Sequence, residues 1–490
     1  MTNTIYKLIL MIFSLTFISS SSNVEIDNKK KHNILFISVD DLRPMTNSYG
    51  NNQMITPHLD KLVSEGVQFD NAYTNVAVCG GSRASIMTGV RPSYNRFLRF
   101  YSRASEDTPN AVSLQRIFKE NGYTALSYGK IYHHPDDFEE DWSKPPVAAK
   151  QFDYQAEESW DIIRKEGGNN PHKNPHGPAW EVAEVSDDVY SDGKVTSLAI
   201  KSLKKFKKTG EPFFLAVGYV SPHLPFIQPK KYWDMYSDED ILLADNTYQP
   251  KNSPQAAMHN FSELRNGYVG IPKRGLLDED LSRNLVHGYY ASVTYMDVLI
   301  GRLVTALDEL GLRDNTTIIL WGDHGFFLGE HGLWCKHSSF YEAIRVPLIV
   351  SSPNMKKNVK TSSMAELVDV YPTLCEIANI DPPDYLDGVS LVPILEDPSK
   401  KLKNEIYTRY QRHEAIVDEN YSFTEFVNLN PNDKIPDGQP GMANMLFDMN
   451  NDKDQNIDIS NRPSSQGLVK KYKEKLARMR KYVNQKKVGK

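Results

Sequence analysis

Cysteine is scarce in this chain. There are three in 490 residues: Cys79, Cys335 and Cys375. Three thiols make no disulfide framework, and an odd number leaves at least one unpaired or chemically altered. Charge of one sign is also lacking. The formal net charge is −5, which gives no support for nucleic-acid binding, so an anionic ligand would need a local basic pocket. Long hydrophobic runs are missing too. The apolar stretch from Leu8 to Ile18 is too short to cross a bilayer as a helix. Preceded by Lys7 and followed by the small residues Ser19 to Ser22, it reads as the core of an export signal over residues 1–22. No cysteine follows that run to carry a lipid, so no stable membrane anchor is expected. The protein is assigned to the periplasm or the exterior. The chain has no internal repeat.

What is present is a series of short apolar runs. Ile34 to Val39, Thr124 to Tyr128, Phe213 to Val220, Thr317 to Trp321 and Pro347 to Ser351 are apolar at nearly every position, as parallel strands covered on both faces are. Stretches with helical apolar spacing lie between them, including "PHLDKLVSEG", "SLQRIFKENG" and the long "NLVHGYYASVTYMDVLIGRLVTALDELG". Strands alternating with helices predict an α/β fold on a mostly parallel sheet, here over residues 30–402. Residues 136–176 and 238–275 lack periodicity and read as long surface insertions of the kind that shape clefts. From residue 403 to 490 the pattern changes to "IYTRY", "EAIVDE", "SFTEFVN" and "ANMLFDM", then a charged helix. This predicts a small C-terminal domain with an antiparallel sheet and one helix.

Polar groups follow the apolar runs. Asp40 and Asp41 follow the first, Lys130 and His133 the second, His223 the third, and Asp323 and His324 the fourth. Ligands of open α/β sheets bind at the carboxyl ends of the strands, so four strands deliver these groups to one edge. Three carboxylates packed together repel unless a divalent cation lies between them, and oxygen donors point to calcium or magnesium. Arg83, Lys130, His133, His223 and Lys336 supply a cationic ring. A metal beside such a ring suits a sulfate or phosphate ester. Cys79 enters a helix-like stretch four residues before Arg83. It is either a buried structural thiol or a reactive group favoured by the helix N-terminus and the nearby cation.

These residues stand in motifs that resemble the type I sulfatases, and the iduronate-2-sulfatase-like members in particular. Cys79-Gly80-Gly81-Ser82-Arg83 followed by Thr88-Gly89 is similar to the family signature, with Gly81 where Pro or Ala is usual. "TPHLDKLVSEGVQFDNAYTN", "GKIYHH", "PHLPF", "GDHGFFLGEHGLWCKHSSF" and "ANMLFDMNNDKDQN" have family counterparts in the same order. The resemblance implies an alkaline-phosphatase-like fold. It also implies that a maturation enzyme oxidises Cys79 to Cα-formylglycine, whose hydrate attacks sulfur and then expels sulfate. Calcium would be held by Asp40, Asp41, Asp323 and His324 beside the residue at 79. His324 stands where most members have Asn. Arg83 and Lys130 would fix the hydrate and the sulfate charge. His133 would take a proton from the nucleophile, His223 would protonate the leaving oxygen, and Lys336 would bind a sulfate oxygen.

The stretch Arg91 to Arg103 carries Arg96, Arg99 and Arg103 among aromatics. Arginines pair with sulfates and carboxylates, and aromatics stack on sugars, so this segment reads either as a wall for an acidic saccharide or as surface ion pairs. Arg412, in "RYQRHE", carries the same two readings. The expected substrate is a sulfated, uronate-containing polysaccharide or oligosaccharide, with ulvan-like material preferred. Two alternatives are a phosphatase or phosphodiesterase of the same superfamily, and a non-catalytic glycan-binding relative. The Cys-x-x-x-Arg spacing speaks against the first and the intact catalytic positions against the second.

Overall fold

The computed structural model describes residues 31–166, 176–427 and 443–489. The expected export signal lies outside them. Among the described residues no helix is long and apolar enough to cross a membrane.

The apolar runs become buried strands. They are β1 (Asn33–Val39), β2 (Val67–Tyr73), β3 (Thr124–Gly129), β4 (Phe213–Tyr219), β5 (Thr316–Gly322), β6 (Leu348–Ser351) and β7 (Val359–Glu366). They form one sheet in the order β7-β2-β6-β5-β1-β4-β3. β1 pairs in parallel with β4 and β5, and β4 with β3. The run from Pro347 to Ser351, expected as a parallel strand, is antiparallel to both of its neighbours. A strand buried on both faces is apolar whichever way it runs, so its composition carries no direction. β2 and β7 were not anticipated. Gln68, Asp70 and Asn71 interrupt β2, and β7 lies at the sheet edge, where burial alternates at first.

Helices cover both faces. On one, α2 (Ser191–Thr209) and α3 (Glu279–Glu309) bury Leu203, Tyr289, Met296 and Leu303 against Leu35, Ile37 and Val39. The Asp278 side chain caps α3 by accepting from the Leu281 amide at 2.8 Å, satisfying one orphan donor of the first turn. On the other face, α1 (Cys79–Thr88) places Ile86 and Met87 against Phe36 and Trp321.

The C-terminal stretch forms a four-stranded antiparallel meander, Glu405–Tyr410, His413–Asp418, Tyr421–Phe426 and Ala443–Asp448. Its alternation divides the two faces. Tyr407, Ile416, Phe423 and Leu446 pack under the terminal helix Gln466–Gln485, through Val469, Tyr472 and Leu476. Ile406, Val417, Phe426 and Phe447 pack instead with Ala77, Phe327 and Phe340. The small sheet therefore buttresses the segment that leads into Cys79.

Candidate active site

Register explains why the strand-end groups meet. Val39 lies opposite both Tyr219 and Gly322, and Gly129 opposite Gly218. The residues that follow, Asp40, Lys130 and Asp323, leave the sheet along one line. Asp41 takes a left-handed backbone (φ 59°), which Asp adopts more readily than most residues. The turn sends Asp40 and Asp41 to different partners.

Asp40 accepts from Arg83 Nη2 at 3.1 Å and from the Lys130 ammonium. Arg83 Nε donates to Asp323 Oδ2 at 2.9 Å. Asp40, Arg83 and Asp323 are all fully buried. Burial works against ionised Asp40, but the charges of Lys130 and Arg83 outweigh it and hold the carboxyl well below its usual range. For Asp323 burial prevails over His324 and Arg83, and its carboxyl is raised.

Cys79 opens α1, and the whole helix is buried. Its Sγ lies 3.2 Å from His324 Nε2. Burial, then the Asp40 charge, pushes the thiol up to about 11, so sulfur here is a thiol and a poor nucleophile. Two glycines let the chain from Phe97 to Phe100 lie against the helix entrance. A Cβ on Gly80 would sit 1.9 Å from the Phe100 carbonyl oxygen, and one on Gly81 would sit 2.4 Å from that of Phe97. Ala or Pro at position 81 would collide with this backbone, which accounts for glycine at a place where the family signature usually has Pro or Ala.

One potential ligand atom from each of Asp40, Cys79, Asp323 and His324 lies within 4.8 Å of the others, and the same holds for Asp41, Cys79 and His223. His324 Nε2 is 3.5 Å from Asp41 Oδ1 and 3.6 Å from Asp323 Oδ2. Buried carboxylate oxygens in such a cluster fit a hard cation.

The opposite side of the site is cationic. Lys336 Nζ reaches both Asp41 oxygens at 3.0 Å and lies 3.2 Å from His223 Nε2. Burial opposes the Lys336 charge, but Asp41 outweighs it and raises the ammonium well above its usual range. His223 Nδ1 is 2.6 Å from the Leu224 carbonyl oxygen, which orients the ring with Nε2 toward the site. Burial disfavours its proton, and Asp41 more than offsets this, raising the imidazole to about 10. His133 is half-buried beside Lys130, and its Nδ1 has no hydrogen-bond partner. Burial and the Lys130 charge push it down to about 2, so it is neutral.

Two site neighbours come from the insertions and were missed by sequence reasoning. Glu263 Oε1 lies 2.7 Å from Lys336 Nζ and 3.0 Å from His223 Nε2. Gln151 Nε2 is 3.2 Å from His223 Nδ1 and donates to the Leu224 carbonyl at 3.0 Å. "FSELRN" and "AKQFD" carry no periodicity or motif that would single out these residues.

The arginines divide. Arg96 is buried and donates to the main-chain carbonyls of Arg91 and Val483, both at 2.9 Å. It fastens the 91–97 turn to the terminal helix and is not on a cleft wall. Arg103 is paired with Asp136 at 3.0 Å. Arg99 is exposed beside Phe100 and Tyr101, and Phe100 packs edge-on to His133 at 6.0 Å. Arg412 is exposed in the turn after Tyr410, whose ring lies 5.4 Å from that of His337.

Comparison with known proteins adds a consistent result. The family profile described as Sulfatase matches residues 32–380, and that described as N-sulphoglucosamine sulphohydrolase, C-terminal, matches residues 329–482. Iduronate 2-sulfatase of Mus musculus is 36% identical over 388 residues, covering 72% of this chain and 69% of its own length. An ulvan-active sulfatase of Formosa agariphila is 30% identical over 413 residues, covering 81% and 72%. Among solved structures, an enzyme in complex with its substrate D-glucosamine-2-N,6-O-disulfate superposes with a TM-score of 0.72 at 22% identity, covering 93% of this chain and 98% of its own. A phosphonate monoester hydrolase from Silicibacter pomeroyi gives 0.73 at 19%, covering 92% and 96%. At these identities the structures share the fold.

Proposed function

The chain belongs to the sulfatase family and is a sulfate ester hydrolase; from that premise we propose that it desulfates a uronate-containing polysaccharide or oligosaccharide, ulvan-like material being preferred, with Cys79 matured to formylglycine and calcium as its metal. The observation that carries the reading is the position of Cys79. It opens a buried helix, touches the imidazole of His324, and lies among buried carboxylates facing a lysine and an imidazole. As a thiol held at about 11, it has little use there. As an aldehyde hydrate made by a formylglycine-generating maturation enzyme, it would offer an oxygen nucleophile at that point.

Asp40, Asp41, Asp323 and His324 are the residues that would hold calcium, which when bound supplies positive charge beside the reacting oxygens. The charges balance in sign. Arg83, Lys130 and Lys336 match three of the four carboxylates of Asp40, Asp41, Asp323 and Glu263. A divalent cation and a singly charged sulfate ester can then enter together. Arg83 fixes Asp40 and Asp323. Lys130 and Lys336 flank the reacting group from two sides and stabilise the charge that develops on the sulfate oxygens. His133, neutral and with Nδ1 unpartnered, accepts the proton of the attacking oxygen. His223, with Nε2 beside Lys336, gives a proton to the departing sugar oxygen.

The relatives support this substrate class, one being an iduronate 2-sulfatase and one an ulvan-active sulfatase. Exposed Arg99 and Arg412 are candidate contacts for the acidic chain. Export to the periplasm or beyond suits a polymeric substrate. The test is sulfate release by the matured protein from a panel of defined sulfated oligosaccharides. Release from uronate-containing members is expected. Activity confined to neutral-sugar sulfates, or to phosphate esters, would overturn the reading.

A further inference from the structure

Glu263 stands where no motif placed a residue, and its position has a chemical meaning. It lies on a short helix, Ser262–Gly267, inside the long insertion. That helix is fixed rather than loosely attached. Phe261 enters it in a left-handed conformation (φ 40°) and is buried, as is Leu264. The Arg265 guanidinium stacks over the Phe261 ring at 3.9 Å. It also donates to the Asn260 carbonyl at 3.0 Å and to the carbonyls of Pro272 and Gly275. A carboxylate held this way is presented to the site.

The two oxygens of that carboxylate differ. Oε1 meets Lys336 Nζ and the His223 Nε2 that faces the leaving oxygen. Oε2 is buried without a hydrogen-bond partner, and its neighbour His337 Nε2 is 3.9 Å away. Lys336 is already matched by both oxygens of Asp41 at 3.0 Å. Glu263 is thus a surplus acceptor at the tip of the proton donor.

We propose that Glu263 is a specificity-determining residue that selects sulfate esters with a free hydroxyl on the neighbouring sugar carbon and rejects those with a second sulfate there. The inference rests on the reading of His223 as donor to the leaving oxygen. With that oxygen at Nε2, the sugar carbon bearing it and the adjacent carbons lie beside the Glu263 carboxylate, 3.0 Å from the same nitrogen. A neighbouring hydroxyl donates to the carboxylate in a charge-assisted hydrogen bond. A neighbouring sulfate would set two anions against each other in a buried place where water screens little. A site built to pair a hydroxyl discriminates strongly against analogues that leave its buried acceptor unmatched.

The experiment uses three oligosaccharides with the same scissile sulfate. The neighbouring position carries a hydroxyl, a hydrogen or a sulfate. Sulfate release is measured as kcat/KM for the matured wild type and for Glu263→Gln and Glu263→Ala. The wild type is expected to rank hydroxyl over hydrogen over sulfate, with about 10- to 100-fold between first and second, the range for a hydrogen bond to a charged group. Glu263→Gln should compress the ranking, losing about tenfold or more on the hydroxyl compound and gaining on the disulfated one. Equal losses on all three, or an unchanged ranking, would overturn the assignment and leave Glu263 as a residue that merely positions His223 and Lys336. Failure of the underlying reading has a separate signature: a His223→Ala variant, formylglycine intact, that keeps the wild-type rate on all three.

Discussion

The two halves of the site are built in different ways. Asp40, Asp323 and Arg83 sit on the end of the central sheet or the first turns of a buried helix, with no exposure. Each is fixed by at least two neighbours. His223, Lys336, Glu263 and Gln151 face them from turns and insertions, and the Glu263 side chain keeps 23% of its surface. Bond-breaking groups that must hold one geometry belong on rigid elements. Groups that read the leaving sugar belong on segments that can vary without disturbing the core. The contrast implies that a change in the first half costs activity on every substrate, whereas a change at His223, Glu263 or Gln151 alters which substrates are used.

The sharpest way to break this contrast is to remove a charge from the rigid half. Asp323→Asn, or thorough chelation of the wild type, is expected to lower turnover by about 10³-fold or more on all substrates, and added calcium should restore only the chelated protein. Undiminished turnover in metal-free enzyme would end the metal assignment. The next effect sharpens the comparison. His223→Ala should cost about 10²- to 10⁴-fold on saccharides and far less on an activated aryl sulfate, whose phenolate leaves unaided. His133→Ala, on the nucleophile side, should harm both alike. Parallel losses for His223→Ala would mean that it binds sulfate rather than donating a proton.

Two smaller effects concern the support beneath both halves. Glu366 joins Arg91, Lys403 and the Asn75 side chain, just ahead of Cys79. Burial opposes its charge, but Arg91 and Lys403 outweigh it and hold the carboxyl far below its usual range. A depressed carboxyl stabilises the fold above its ordinary value, and the contribution is lost as pH falls through that range. Glu366→Gln is therefore expected to cost about 3 kcal/mol near pH 7, with the deficit shrinking below about pH 4.5. Urea unfolding at several pH values would show it. Gly81→Ala should cost about 1–3 kcal/mol from the clash with the Phe97 carbonyl. An unchanged midpoint would mean that the 97–100 segment moves aside freely.

The same division governs what the sequence made legible. Strand-end groups could be found because an apolar run ending in Asp, Lys or His announces both the strand and the edge from which the side chain emerges. Asp40, Lys130, His223 and Asp323 all follow such runs. The antiparallel direction of Leu348–Ser351 was hidden because full burial removes any difference between its faces. Glu263 and Gln151 were hidden because tertiary folding of an aperiodic insertion brings them in. Arg96 misled for the opposite reason. An arginine among aromatics looks like a ligand contact, but here it bonds two main-chain carbonyls in the interior.

The central claim is that Cys79 serves as an aldehyde and not as a thiol. Mass spectrometry of the peptide containing residues 75–89, from protein produced with a maturation enzyme and shown to release sulfate, tests it most directly. The account predicts that Cys79 has lost its sulfur and carries an aldehyde that reacts with hydrazines, in proportion to activity across preparations. Fully unmodified Cys79 in protein that releases sulfate at its full rate would contradict it.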